Sequence, residues 1–284
     1  MKEVLETIKP DYNFLVDGTL GHGWHSSEIL RRFPNVKILW LDVDENMIKK
    51  ADKKIEEFGS RIQVLHSSYA NIGKCLKEIW EEKVDWIFLD LWVNLEHFKD
   101  ASRWFSIRWT ADLDMRFDMS KWMKASEILN TRSVKELIDI FVKYWDFTEK
   151  KSEELALAIV KYRGTKKIET TYEFREILAN HGLGEKACAV IFQTLRIATN
   201  GELDNLDIFL NSFHEVLKDG GRCVILTYHS IEDRMVKLKF RELTDRWNFE
   251  LVYKKAVLPH YKEVEKNKAA RSAKMRVIER VYSV

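Results

Sequence analysis

The stretch NFLVDGTLGHGWHSSEIL, Asn13 to Leu30, decides the fold. A short apolar run ends on Asp17, a glycine-bearing loop follows, and helical spacing begins near Ser26. Glycine lets the backbone turn sharply and approach a ligand at a strand's carboxyl end, so this order opens an α/β unit. The pattern then repeats. KILWLDV (37–43), IQVLHSS (62–68) and VDWIFLDL (84–91) read as strands, with helices expected over 45–58 and 72–80. Strands alternating with helices predict a parallel sheet covered on both faces. Right-handed crossovers bring the strand-end loops to one edge, where ligands bind.

The alternation breaks near Phe105. From Ser133 to Asn211 the apolar spacing is helical, in VKELIDIFVKYW, EELALAIVKY, TYEFREIL and AVIFQTLRIATN. Strand character returns at GRCVILTYH (221–229), FELVYKKAV (249–257) and MRVIERVYS (275–283). The expected organisation is an α/β domain made of residues 1–105 and 203–284, interrupted by an all-helical insert over 106–202.

Composition narrows the class. Of 284 residues, 45% are hydrophobic and 32% charged, the balance of a soluble globular protein. No apolar run reaches membrane-spanning length, and no signal peptide opens the chain. Cys75, Cys188 and Cys223 follow no metal or redox spacing, which fits a reducing cytoplasm. His22 and His25 lack the further ligands a metal site needs and read as loop residues. The net charge is only +2, yet Lys254–Val284 carries nine Lys/Arg against three Glu. Such a segment is either a solvated tail or a phosphate contact.

The strand ends carry the chemistry. Asp17 closes the first strand and Asp42 the second, where a carboxylate can accept both hydroxyls of a ribose. Together they point to a nucleoside-containing cofactor. The loop lacks GxGxxG and has no pyrophosphate to cradle, which favours S-adenosylmethionine over NAD. Tyr69, after the third strand, is placed to stack on adenine or simply to pack. Asp90-Leu91-Trp92 closes the fourth strand, and Thr227-Tyr228-His229-Ser230 the fifth. By topology Asp90 and His229 share the active edge, each with a plain capping or structural role as its alternative.

Several segments together resemble the RsmH/MraW family, cytosine-N4 methyltransferases of small-subunit ribosomal RNA. They are DGTLGHGWHS (17–26), LDVD (41–44), FLDLWV (88–93), RWFSI (103–107), LDMRFD (113–118), FQTLRIATNGEL (192–203), YHSIEDRMVK (228–237) and ARSAKMRVIER (270–280), in family order. The resemblance implies a Rossmann-like class I S-adenosylmethionine-dependent methyltransferase sheet with an inserted helical domain. It implies that Asp17, Gly21, Gly23, Trp24 and His25 form the cofactor loop, that Asp42 binds the ribose, and that Tyr69 and Asp90 lie near the adenine and sulfonium. His97 stands where the family has a cofactor-contacting Gln. Asp90 and His229 are the catalytic candidates. Asp112, Asp114, Arg116, Ser230, Asp233, Arg234, Arg271, Lys274 and Arg276 are the candidates for holding RNA. The implied partner is small-subunit rRNA or the small ribosomal subunit, in the cytoplasm and away from membranes, with room for a homodimer. The implied substrate is a cytidine of the decoding region.

One anomaly stands out against this pattern. The chain has 11 glycines and 10 tryptophans. Trp24, Trp40, Trp86, Trp92 and Trp104 fall where the resembled family has glycine, as do Trp122 and Trp145 on a looser match. Random substitution does not choose one replacement so often. These seven are read as UGA codons decoded as glycine in the source organism and written as tryptophan by translation. The alternative is genuine tryptophan, a blocked cofactor loop and a chain that grips rRNA without methylating it.

Overall fold

The computed structural model describes residues 1–92, 110–120, 123–144, 148–246 and 248–282. His97, Trp104, Trp122 and Trp145 lie outside these. Two compact units emerge, Met1–Trp92 with Leu203–Val284, and Val93–Glu202.

The first unit holds a seven-stranded sheet in the order β3-β2-β1-β4-β5-β7-β6. The strands are β1 (Phe14–Asp17), β2 (Lys37–Asp42), β3 (Ile62–His66), β4 (Val84–Asp90), β5 (Leu217–Thr227), β6 (Phe249–Leu251) and β7 (Lys274–Arg280). The helices are, in chain order, α1 (Lys2–Leu5), α2 (Trp24–Arg32), α3 (Glu45–Lys50), α4 (Asp52–Phe58), α5 (Ile72–Glu78), α6 (Ala125–Thr131), α7 (Val134–Tyr144), α8 (Glu149–Arg163), α9 (Thr171–Asn180), α10 (Glu185–Asn200), α11 (Glu202–Val216), α12 (Ser230–Arg246) and α13 (Tyr261–Lys266).

β1 to β5 pair in parallel, as the sequence pattern requires. β7 does not: it runs antiparallel to both β5 and β6, so the sheet is mixed. The chain crosses from β5 to β6 by way of α12 and then returns between them. A buried apolar run looks the same in either direction, which is why the pattern suggested a wholly parallel sheet.

Both faces of the sheet are covered. Val16, Leu39, Leu41, Ile87 and Leu89 pack with Phe209 and Phe213 of α11 and Phe240 of α12. On the opposite face Leu15, Ile38, Trp40, Trp86 and Phe88 pack with Ile29 and Leu30 of α2. Alternate residues of each strand point to opposite faces, so near-continuous apolar strands are what such a sheet needs.

Two local expectations need correction. The helix read over 45–58 breaks at Ala51 into α3 and α4. β5 begins at Leu217 rather than at Gly221, because Gly220-Gly221 lies inside the strand. A Cβ on Gly221 would sit 2.8 Å from the Lys218 carbonyl and 3.0 Å from that of Asp85. That pair marks a close backbone approach instead of a turn.

The second unit is helical in its described residues, with its own core. Leu137 and Phe141 of α7, Leu155 and Ile159 of α8, Phe174 of α9 and Phe192 and Leu195 of α10 are all buried in it.

Candidate active site at the carboxyl edge of the sheet

The loop after β1 is built around Asp17, which is almost wholly buried. Its carboxyl group accepts a short hydrogen bond from the Ser26 hydroxyl and one from the Thr19 N–H at 3.2 Å. Burial outweighs these bonds and pushes its pKa up to about 7, with Asp90 and Asp42 acting in the same direction. Gly18 has no room for a side chain: a Cβ would run into Leu89 and lie 2.9 Å from the Cβ of Tyr69. Gly23 adopts φ +61°, in the left-handed region glycine favours, and caps α2.

β2 ends on Asp42. Its two oxygens accept from the N–H groups of Gly21, at 3.0 Å, and Asp44, at 2.8 Å. The loop after β1 is thereby tied to the neighbouring strand end. After β3, Tyr69 stands edge-on to Phe209 with ring centroids 5.7 Å apart.

β4 ends on Asp90, where the contacts are the most specific. Its N–H donates to the Thr19 hydroxyl at 2.7 Å. Its Oδ1 accepts from the Tyr228 hydroxyl at 2.8 Å and from the Trp92 N–H at 3.2 Å. Among the described residues Oδ2 accepts no hydrogen bond, and His25 Nδ1 stands 3.7 Å from it. Burial holds His25 below the usual histidine range, so at neutral pH that approach is not an ion pair. The His25 ring packs on Phe88 instead, at 4.8 Å. Burial first, and then the Asp90 charge, hold the Tyr228 phenol above the tyrosine range, so its hydroxyl remains a donor.

Asp17, Gly21, Gly23, His25, Asp42, Tyr69 and Asp90 therefore meet at one edge. Trp24 also lies there, but not as a plug. It is the first residue of α2, its indole is 74% exposed, and the Lys54 ammonium lies 5.9 Å from the ring. The expectation of a blocked loop is corrected at this position. Trp92 packs against Tyr228 at 4.7 Å. Trp40 and Trp86 are core residues; Trp86 Nε1 donates to Thr7 at 2.9 Å, whereas Trp40 Nε1 is buried without a partner among the described residues.

His229 follows β5, and its ring is turned to α12. Its Nδ1 accepts from the Glu232 N–H at 3.4 Å, and its Nε2 lies 2.8 Å from Glu232 Oε1 without hydrogen-bond alignment. The other Glu232 oxygen accepts the Tyr228 N–H at 2.8 Å. One turn on, Asp233 accepts from Lys274 at 2.9 Å and Arg276 at 2.7 Å, joining α12 to β7. Three of the residues expected to hold RNA thus hold one another. Ser230, Arg234 and Arg271 are exposed.

In the second unit, Asp114 and Arg116 are buried and paired through two bonds, at 2.7 and 2.8 Å. Burial pushes the Asp114 pKa up, but the Arg116 bonds and charge overcome it and hold the carboxyl below its usual range. Met115 between them has φ +63°. Asn200 straps this turn, donating to the Met115 carbonyl and accepting from the Phe117 N–H, both at 2.8 Å. Asp112 bridges to Thr170. The LDMRFD and FQTLRIATN segments are thus two halves of one brace.

Four residues of these arrangements, Thr19, Ser26, Tyr228 and Asn200, are not among the sequence-predicted site residues. Each lies in a segment that carries the family resemblance, and Tyr228 also closes the fifth strand next to His229.

A mixed sheet of this order, a glycine loop after β1 and carboxylates closing β1, β2 and β4 define a class I methyltransferase, whose cofactor is S-adenosylmethionine. The strand-end Asp42, tied to the Gly21 N–H of the glycine loop, fits an adenosyl group. A family model described as the MraW methylase family matches residues 1–281, and the chain belongs to that family. It is similar to proteins named "Ribosomal RNA small subunit methyltransferase H". That of Elusimicrobium minutum is 37% identical over 287 residues, covering 99% of this chain and 96% of the relative. That of Coprothermobacter proteolyticus is 34% identical over 284 residues, covering 98% and 94%. That of a Picosynechococcus species is 37% identical over 278 residues, covering 96% and 91%.

Proposed function

We propose that this chain methylates N4 of a cytidine in the decoding region of small-subunit rRNA, in the cytoplasm. The observation that carries the reading is Asp90, with one oxygen held by Tyr228 and Trp92 and the other left to accept from an incoming amine. S-adenosylmethionine, when bound, supplies a methyl group already activated on sulfur, so positioning provides most of the rate. Asp42 takes the ribose hydroxyls, Tyr69 lies against the adenine, and the Gly21–His25 loop receives the methionine part. The cytosine amine is a poor nucleophile because its lone pair is delocalised into the ring. Asp90 Oδ2 accepts from N4, orients it and takes its proton. Tyr228 fixes the carboxylate for that task, and His229 positions Tyr228 through Glu232. The cytidine reaches the pocket only out of its stack. Exposed Ser230, Arg234 and Arg271 contact the RNA backbone, while Asp233, Lys274 and Arg276 shape the wall behind them.

Binding of rRNA without methylation is not favoured, since the Trp24 indole is turned outward. The test is nucleoside mass spectrometry of small-subunit rRNA. Deleting the gene removes N4-methylcytidine, and the wild-type chain restores it whereas Asp90→Asn does not. Unchanged N4-methylcytidine after deletion overturns the proposal.

A further inference from the structure

The segment after β6 carries features that the methyl-transfer site leaves unused. Val257 forms a bridge with Met275, donating to and accepting from it at 2.9 Å. Met275 in turn pairs with Leu226 of β5, two residues before Tyr228. The chain from Val257 into α13 is thereby anchored beside the active edge. Glu263 of α13 is near enough for its charge to act on both His25 and Tyr228. At the start of α13, Tyr261 is 66% exposed and Leu258 is 63% exposed. The His260 ring packs against Tyr261 with centroids 4.5 Å apart and is itself fixed by capping the Lys262 N–H, and the Lys262 ammonium lies 6.0 Å from the Tyr261 ring centroid. Lys262 and Lys266 of α13 and Lys254, Lys255, Lys268 and Arg271 of the flanking segments are exposed, six cations against the exposed Glu263 and Glu265.

An aromatic ring held open to solvent within a cationic rim is the arrangement that receives single-stranded nucleic acid: bases stack on the ring while the lysines meet phosphates. We infer that Tyr261, backed by His260, is a stacking platform for a nucleobase of the single-stranded rRNA flanking the methylated cytidine. This rests on the rRNA reading above. A protein partner is disfavoured by the lysine-rich rim, since lysine is depleted in protein interfaces.

The test uses the full chain and a short single-stranded RNA oligonucleotide of decoding-region sequence, followed by fluorescence anisotropy. Tyr261→Ala weakens RNA binding by about tenfold, Tyr261→Trp keeps it, and affinity for S-adenosylmethionine is unchanged in both. Unaltered RNA affinity in Tyr261→Ala, or an equal loss in Tyr261→Trp, overturns the platform. So does a Tyr261→Ala defect seen with intact small subunits but not with naked RNA, which assigns the surface to ribosomal protein. A wild-type chain that binds RNA through Tyr261 yet methylates no cytidine supports the platform and sinks the substrate reading alone.

A separate observation concerns Trp80. It has φ +63° and is 94% exposed. It follows α5 in a closing turn, where its N–H donates to the Lys77 carbonyl and the Glu81 N–H to that of Leu76. Glycine is the residue that such a left-handed helix stop selects. We propose that Trp80, like the seven tryptophans read from the sequence as UGA, is translated as glycine in the source organism. Tandem mass spectrometry of the protein from that organism would show glycine at position 80. A tryptophan there, or a UGG codon in the gene, overturns it.

Discussion

Asp17 and Asp114 are both buried aspartates, and their surroundings set them apart. Asp114 has a guanidinium locked onto it and is held as an anion. Asp17 has a hydroxyl and an N–H for partners and two acids for neighbours, and its proton affinity rises to about 7. The first is a structural brace, balanced and indifferent to neutral pH. The second keeps an unbalanced cost, which is what a site does when it leaves room for a ligand's own charge. The contrast separates residues that hold the fold from residues that serve the reaction, although both lie in motifs of the family.

The largest effect expected from this contrast is on stability. Arg116→Ala strands the Asp114 carboxylate in the core and costs about 3–5 kcal/mol, read from urea unfolding. A loss below about 1 kcal/mol would show that the pair is not the brace described. Next is Asp90→Asn. It lowers kcat by about 100-fold or more with little change in unfolding midpoint, measured by methyl incorporation into small subunits. Equal losses of activity and stability would place Asp90 with the braces.

A pH series then tests the two acids together. The folded value of Asp17 lies above its unfolded one, 3.8 rising to about 7. Its charge is costly in the folded state, so its contribution to stability grows as pH falls from about 7 towards 4 and is lost as pH rises through 7. The contribution of Asp114 runs the other way. It is present above 3.8 and disappears as pH falls through the lowered folded value. Cofactor-free Asp17→Asn should flatten the slope between about pH 8 and pH 5. An unchanged slope would remove Asp17 as its source. The smallest effect belongs to neither acid: Trp80→Gly in a chain made with tryptophan there should gain about 1 kcal/mol by relieving the left-handed backbone.

Much of the sheet was legible because period and strand-end chemistry are local. Asp17, Asp42 and Asp90 each close an apolar run and precede a break, which places them at one edge once crossovers are right-handed. The reversal of β7 was not legible, since its apolar pattern carries no sense of direction. Nor was the break at Ala51, where no glycine or proline interrupts the helical spacing. The Tyr228–Asp90 bond joins residues 138 apart, and Asn200 reaches back to Met115 across 85. Such pairings exist only after the chain has folded. Asp114 and Arg116 could be flagged as a motif, but their motif does not say whether they face RNA or each other.

The reversal of β7 also fixes where the protein can be handled. Lys274, where β7 begins, sits opposite Thr227 at the reactive rim, and by Glu279 the strand has reached Arg222, towards the far rim. A fluorophore or surface tether attached beyond β7 would hang from the side remote from Asp90, leaving the entrance clear for immobilised binding measurements.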